Sequence, residues 1–302
     1  MNSRNSRELP TTDMLTAGHQ ESSLFWQEEE LTILVGDSRH LLAQFDSDFF
    51  QCCITSPPYW GLRDYDIEGQ IGAENVLDDY IADLVDIFRE VRRTLKDDGT
   101  LWLNIGDSYT SGNRTWRAPD KKNRARAMSY RPPTPDGLKP KDLIGVPWRL
   151  AFALQEDGWY LRSDIIWHKP NGQPESVKDR PTRCHEYIFL FSKSERYYYD
   201  YEAIKEPATN GSELRSRRSV WSINTEGYSG AHFAVFPPEL VRLCMLGGSK
   251  IDSTVLDPFL GSGTVAEVCL ENGRKCVGIE LNPDYAELAL QRISKTQRGL
   301  GF

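Results

Sequence analysis

The segment Val255-Leu256-Asp257-Pro258-Phe259-Leu260-Gly261-Ser262-Gly263-Thr264-Val265 constrains the fold most, because it reads as a strand, a tight glycine turn and a helix start. Residues 274–279 then supply a second apolar strand, which ends on Glu280. Glu280 lies 19 residues beyond Gly261, the arrangement in which a ligand approaches the backbone of the turn and an acid at the next strand end takes ribose hydroxyls. Glycine by itself says little, since tight strand-to-helix turns use it for packing alone. Asp257 adds the decisive chemistry. A carboxylate just ahead of the turn repels phosphate and attracts an ammonium group, so a nucleoside with an amino-acid end fits better than a dinucleotide. S-adenosylmethionine carries ribose, adenine, ammonium and sulfonium in one molecule.

The rest of the chain alternates strands with helices. Leu31-Thr32-Ile33-Leu34-Val35 reads as a buried strand ending at Gly36-Asp37, with Ser38 expected to cap a short helix through Ala43. Residues 49–54 form a second strand. Apolar residues at Ile81, Leu84, Val85, Phe88, Val91 and Leu95 have the spacing of an amphipathic helix over 76–95. Lys96-Asp97-Asp98-Gly99 stops it, and 100–105 is a strand. Pro147 opens a helix through about Gln155, 159–167 and 186–191 are strands, and 237–246 is a helix. The irregular stretches 106–145 and 201–229 are long enough to be functional. The expected organisation is a flexible segment 1–23 followed by one catalytic domain, 24–302, with nucleic-acid-contacting insertions at about 106–145 and 170–229.

Thr55-Ser56-Pro57-Pro58-Tyr59-Trp60 follows the second strand. Two prolines fix φ twice and remove two N–H donors, so the loop is expected to present its carbonyls outward as acceptors without internal partners. The Ser56 hydroxyl and the Tyr59 ring then suit a flat, amino-bearing ring such as a nucleobase. The net charge of −8 argues against nucleic acid until its distribution is considered. Arg114, Arg117, Lys121, Lys122, Arg124, Arg126, Arg131, Lys139 and Lys141 face only Asp120 and Asp136 within 110–141, a basic footprint on an acidic body. The bland reading of that run is a solvated loop. Six cysteines without a C-x-x-C pair and five scattered histidines indicate reduced thiols and no metal site. No apolar run approaches the roughly 18 residues of a membrane span, and the start lacks the apolar core of a signal peptide, so cytoplasmic, DNA-associated residence is expected.

Taken together, the two motifs resemble those of the amino-methylating DNA methyltransferases of β-type order, in which the catalytic motif precedes the cofactor motif. The resemblance implies a Rossmann-like S-adenosylmethionine-dependent methyltransferase fold, an α/β sheet with helices on both faces. It makes Ser56, Pro57, Pro58 and Tyr59 the catalytic motif. Asp257, Pro258, Phe259, Gly261, Ser262, Gly263 and Thr264 become the cofactor loop, with Thr55 beside it and Glu280 as the acidic strand end. Asp37 corresponds to the adenine-contacting acid, and His232-Phe233-Ala234-Val235-Phe236-Pro237 to the segment lining the methionine end. Double-stranded DNA is the implied partner, with Trp60, Arg63, Arg114, Arg117, Lys121, Lys122, Arg124, Arg126, Lys169, Arg215, Arg217 and Arg218 as expected contacts. For the segment around Trp60 and Arg63 the competing reading is an Arg63–Asp64 pair that merely stabilises the loop. A cognate restriction endonuclease and a homodimer are further expectations.

The Thr-Ser-Pro-Pro-Tyr form is similar mostly to N4-cytosine enzymes. Adenine N6 stays open, since both bases present one ring acceptor beside one amine and Ser56 serves either. Methylation of RNA or of a protein glutamine, and a catalytically silent DNA-binding protein, are more distant readings. Attack through C5 would demand a cysteine that the loop lacks, as Cys52 and Cys53 precede it within a strand. Direct transfer to the amine of a flipped base stacked on Tyr59 is the expected mechanism.

Overall fold

In a computed structural model, described for residues 23–65, 67–111, 116, 131–172, 175–208, 213–226 and 236–300, the apolar runs assemble into one nine-stranded sheet. Its central strands are β2 (Leu31–Val35), β3 (Phe50–Thr55), β4 (Leu95–Ile105), β10 (Thr254–Asp257) and β11 (Lys275–Glu280), all parallel, in the order β2-β11-β10-β3-β4. Beyond β4 lie β6 (His185–Ser192), antiparallel to it, then β5 (Tyr160–His168) and a short edge strand β9 (Val220–Ser222). The other edge is β1 (Leu24–Gln27), antiparallel to β2. This α/β architecture is the one expected. The segment 201–229 was expected to be irregular, but it contributes β9 and a small ribbon of β7 (Glu206–Pro207) and β8 (Leu214–Arg215).

Helices cover both faces because successive residues of the buried strands point to opposite sides. Cys53, Leu101, Leu103 and Leu256 join one apolar cluster with α2 (Leu77–Thr94) and α3 (Val146–Glu156). Cys52, Ile54, Trp102 and Val255 join the other, with α4 (Pro238–Gly248), α5 (Thr264–Glu271) and α6 (Pro283–Leu300). Helix α2 buries Leu84, Phe88 and Val91 completely, as its spacing predicts. It stops where expected: Phe50 pairs with Leu95 and Cys52 with Thr100, so residues 96–99 bulge out of the strand between them. No helix among the described residues is long and apolar enough to cross a membrane.

One cap differs from expectation. The short helix α1 (Ser38–Leu41) is capped by the side chain of Asp37, which accepts from the Arg39 N–H, and not by Ser38. Ser38 instead donates its hydroxyl to the Pro258 carbonyl at 2.5 Å, tying α1 to the glycine turn.

The parallel sheet reverses its chain order between β10 and β3, so the loops leaving these neighbours form a crevice at their carboxyl ends, where open α/β sheets take ligands. Leu84→Ala leaves a cavity beneath this platform; it is expected to lower stability by about 2 to 5 kcal/mol, read from the denaturant midpoint. A change under 1 kcal/mol, on the order of a surface substitution, would contradict the packing described.

Candidate active site

The glycine turn leaves β10 beside the proline loop leaving β3, with Leu256 in register with Cys53. At that junction the fully buried Thr55 hydroxyl donates to Asp257 Oδ1 at 2.7 Å, and the Phe259 N–H donates to the same oxygen at 3.1 Å. Burial pushes the Asp257 carboxyl up to about 7; the Thr55 and Phe259 bonds oppose this, while the field of Glu280 adds to it. Glu280 accepts from the Gly261 N–H at 2.8 Å and from Asn282 N–H at 2.9 Å, and burial raises it as well. Neither carboxylate has a cationic partner among the described residues. The buried Asp257, whose proton affinity the field of Glu280 raises, and the half-buried Glu280 form a site that a ligand ammonium and hydroxyl donors would relieve.

The turn itself is braced from behind. Gly263 has φ +80°, and a Cβ there would sit 2.8 Å from that of Ala289 on α6, so only glycine fits. Arg292, also on α6, donates to Thr264 Oγ1 at 2.8 Å and more weakly to Ser262 Oγ at 3.4 Å, while its ion pair with Glu267 measures 2.6 Å. The hydroxyls of Ser262 and Thr264, expected to meet a ligand, are therefore engaged in holding the turn. Asp37 is also occupied. Burial raises its carboxyl, but the Arg39 side chain and N–H, with Nη2 2.6 Å from Oδ2, outweigh this and hold it below the usual range. Phe236 is partly buried against the α4 side of the core, while 232–235 lie outside the described residues.

The proline loop departs from its expected openness at two carbonyls. Pro58 O accepts from the Tyr80 hydroxyl at 2.9 Å, and Tyr59 O from the Leu62 N–H at 3.2 Å. Pro57 is buried, and its carbonyl accepts no bond among the described residues, so it is the one of the three whose acceptor is not already used. The Ser56 hydroxyl donates to Asn104 Oδ1 at 3.4 Å; the Tyr59 hydroxyl lies 3.3 Å from the same oxygen and donates to Glu186 Oε2 at 2.9 Å. Burial, with the Glu186 charge next, raises the Tyr59 phenol well above its ordinary range. Its ring lies so close to Gly106 that a Cβ there would come within 2.7 Å.

Several residues expected on DNA are placed otherwise. Trp60 is 5 % exposed and donates its indole N–H to Glu74 O at 2.9 Å, so it is core. Lys169 pairs with Glu186, and its ammonium sits 4.1 Å above the Trp167 ring. Arg63 lies against the Tyr65 hydroxyl. Arg215, Arg217 and Arg218 gather on one acid, Glu206, at 3.0, 4.0 and 3.4 Å. That cluster keeps an excess of positive charge although each arginine has a protein partner. Arg114, Arg117, Lys121, Lys122, Arg124 and Arg126 lie outside the described residues. The residues that sequence reasoning missed are Asn104, Glu186, Tyr80 and Arg292. The only signal for the first two is a polar residue in an otherwise apolar strand, and nothing local indicates that β4 and β6 are neighbours. No group of three or more histidines, cysteines or acids is placed to hold a metal among the described residues.

The Asp257 carboxyl carries a testable consequence. Its folded pKa stands above the ordinary 3.8, so between that value and about 7 folding takes up a proton and this group's contribution to stability falls as pH rises. Thermal midpoints of the ligand-free protein should show Asp257→Asn gaining on wild type across that window and levelling above it. A difference flat in pH would mean that burial does not raise this acid.

The family of N6 and N4 enzymes described as DNA methylase matches residues 50–291. The Type II methyltransferase M.SmaI of Serratia marcescens is 70 % identical over 262 residues, covering 86 % of this chain and 90 % of its own. M.Cfr9I of Citrobacter freundii, also a Type II methyltransferase, is 61 % identical over 262 residues and 87 % of each chain. Among solved structures, the PvuII DNA methyltransferase (cytosine-N4-specific) superposes with a TM-score of 0.66 at 19 % identity, over 89 % of this chain and 92 % of that one. A putative DNA modification methylase of Thermus thermophilus, complexed with S-adenosyl-L-methionine, gives 0.60 at 25 % identity, over 88 % and 95 %.

Proposed function

The chain belongs to the DNA methylase family of N6 and N4 enzymes, and from that premise we propose that it methylates the exocyclic N4 amine of a cytosine flipped out of duplex DNA. The observation that supports this reading most is the Thr55–Asp257 bond, which joins the proline loop to the glycine turn at adjacent strand ends. S-adenosyl-L-methionine is the methyl donor, and the two unpaired carboxylates fit it. Asp257 would hold its ammonium, Glu280 its ribose hydroxyls and the Gly261–Gly263 turn would allow its close approach. Asp37 would reach its adenine while still held by Arg39. When bound, it supplies a methyl group activated by a sulfonium.

The remaining work is orientation. Ser56 Oγ directs its own proton into the protein, toward Asn104, and so turns an acceptor lone pair outward; the Pro57 carbonyl is the second acceptor. Two acceptors on one amine hold both of its N–H groups and aim the nitrogen lone pair away from the ring plane, which is the demand of direct attack. Tyr59 supplies the aromatic face, its ring fixed by the hydroxyl at Glu186 and by contact with Gly106. Cytosine is preferred on the Thr-Ser-Pro-Pro-Tyr form of the loop. Adenine N6 is the second reading, because it offers the same amine to the same two acceptors. The positive surplus around Glu206 and the basic run at 114–126 are suited to DNA phosphates. The Type II designation of the relatives supports a cognate restriction endonuclease.

Incubating the protein with methyl-labelled donor and duplex DNA should give N4-methylcytosine on nucleoside analysis. N6-methyladenine would establish the second reading, and label only on RNA or protein glutamine would overturn both. Ser56→Ala is expected to cut turnover roughly a hundredfold, the scale of losing one preorganised polar contact. Asp257→Ala is expected to abolish donor binding in calorimetry, and retained affinity would remove Asp257 from the cofactor site.

A further inference from the structure

The described residues of 61–72 continue the proline loop as an arch toward the donor side of the crevice. Its foot stands on the catalytic loop: the Gly61 N–H donates to Gly72 O at 2.8 Å, and the Trp60 indole to Glu74 O at 2.9 Å. Within the arch the Tyr65 N–H donates to Gln70 Oε1 at 2.8 Å. Two contacts then reach outward. The Tyr65 ring meets that of Tyr285 edge-on, with centroids 6.2 Å apart and planes at 89°. Gly69 O accepts from Arg39 Nη2 at 3.0 Å, and the same guanidinium holds Asp37.

These contacts lie on opposite faces of the sheet. Tyr285 belongs to α6, which packs through Ala286 and Ala289 into one apolar cluster, whereas Leu41 of α1 and Ile71 of the arch belong to the other. A segment that leaves β3 and meets an element on each face has to cross the carboxyl edge of the sheet. In the order β2-β11-β10-β3, the strand ends lying between β3 and Arg39 are those that carry the glycine turn and Glu280. Tyr285 is tied to that acid through Asn282, whose N–H donates to Glu280 Oε1 at 2.9 Å and whose carbonyl accepts from the Tyr285 N–H at 3.0 Å. Burial raises both phenols, and the field of Glu280 adds to the rise in each.

We propose that Tyr65 and Tyr285 are further donor-binding residues, whose rings cover the nucleoside of S-adenosyl-L-methionine above Glu280, with the Gly69–Arg39 bond fastening the cover. This rests on the assignment of the crevice to the donor. Asp37 and Glu280 offer acceptors to the edges of a nucleoside, and the glycine turn offers backbone. The faces of an adenine ring call for apolar or aromatic surface instead, which these two tyrosines bring from outside both sequence motifs. Covering the site also removes water from around Glu280 and so strengthens its bonds to ribose hydroxyls. Donor and spent product then exchange when the arch lets go.

Tyr65→Ala and Tyr285→Ala should each weaken donor binding by roughly tenfold in calorimetry without DNA, within the range for a lost aromatic contact to a base. The loss should appear as faster donor dissociation in stopped-flow fluorescence, while Tyr65→Phe, which keeps the ring, should bind as wild type does. In wild type, saturating S-adenosyl-L-methionine should slow amide hydrogen exchange in 61–72 by more than it does in α2. Wild-type affinity and dissociation rate in both alanine variants, or exchange in 61–72 that the donor leaves unchanged, would overturn the cover. If the alanine variants do not fold, hydrogen exchange in wild type decides. Failure of the underlying assignment looks different: wild type itself would bind no donor in calorimetry.

Discussion

The Thr55–Asp257 hydrogen bond is the contact on which the candidate site depends. It spans 202 residues of sequence and lies wholly within the protein, where the low dielectric strengthens a bond to a carboxylate and makes its loss costly. Because its two ends sit at the carboxyl ends of adjacent parallel strands, it makes one rigid unit of the proline loop and the glycine turn. Ser38 at the Pro258 carbonyl and Arg292 at Thr264 extend that unit to the flanking helices. A reaction that depends on aligning two molecules to a fraction of an ångström needs this kind of shared frame.

Four acids surround the crevice, and their partners divide their labour. Asp37 and Glu186 each have a cation, Arg39 and Lys169, while Asp257 and Glu280 have none among the described residues. The first pair is electrostatically settled before any ligand arrives. The second is desolvated without a counter-ion, Asp257 buried and Glu280 half-buried, which a ligand bearing positive charge improves. Burial alone does not separate the two kinds; the presence of a nearby cation does.

Much of this architecture was readable in the chain. The apolar periodicity of 76–95 corresponds to α2 at Leu77–Thr94, and the strand–turn–helix at 255–265 falls where the pattern put it, since both signals are local and burial enforces them. Errors gathered where a partner is distant in sequence. Trp60 and Lys169 look like exposed contacts until Glu74 and Glu186 are brought to them. Likewise the Pro58 carbonyl looks open until Tyr80 donates to it, whereas the Tyr59 carbonyl is taken by Leu62 in a local turn that the proline argument overlooks.

The sequence by itself determined the order of strands and helices, the two loops that carry acceptor and acid chemistry, and the family to which the chain belongs. These follow from local spacing, from backbone limits that only proline and glycine impose, and from the joint presence of two motifs. The tertiary structure alone decided which polar groups in those loops are spent and which remain for a ligand. That outcome depends on sheet register: β3 beside β10 gives Thr55 to Asp257, and β4 beside β6 gives Tyr59 and Asn104 to the neighbourhood of Glu186. Strand adjacency is a long-range property, set by how the whole sheet packs, and no window of residues contains it.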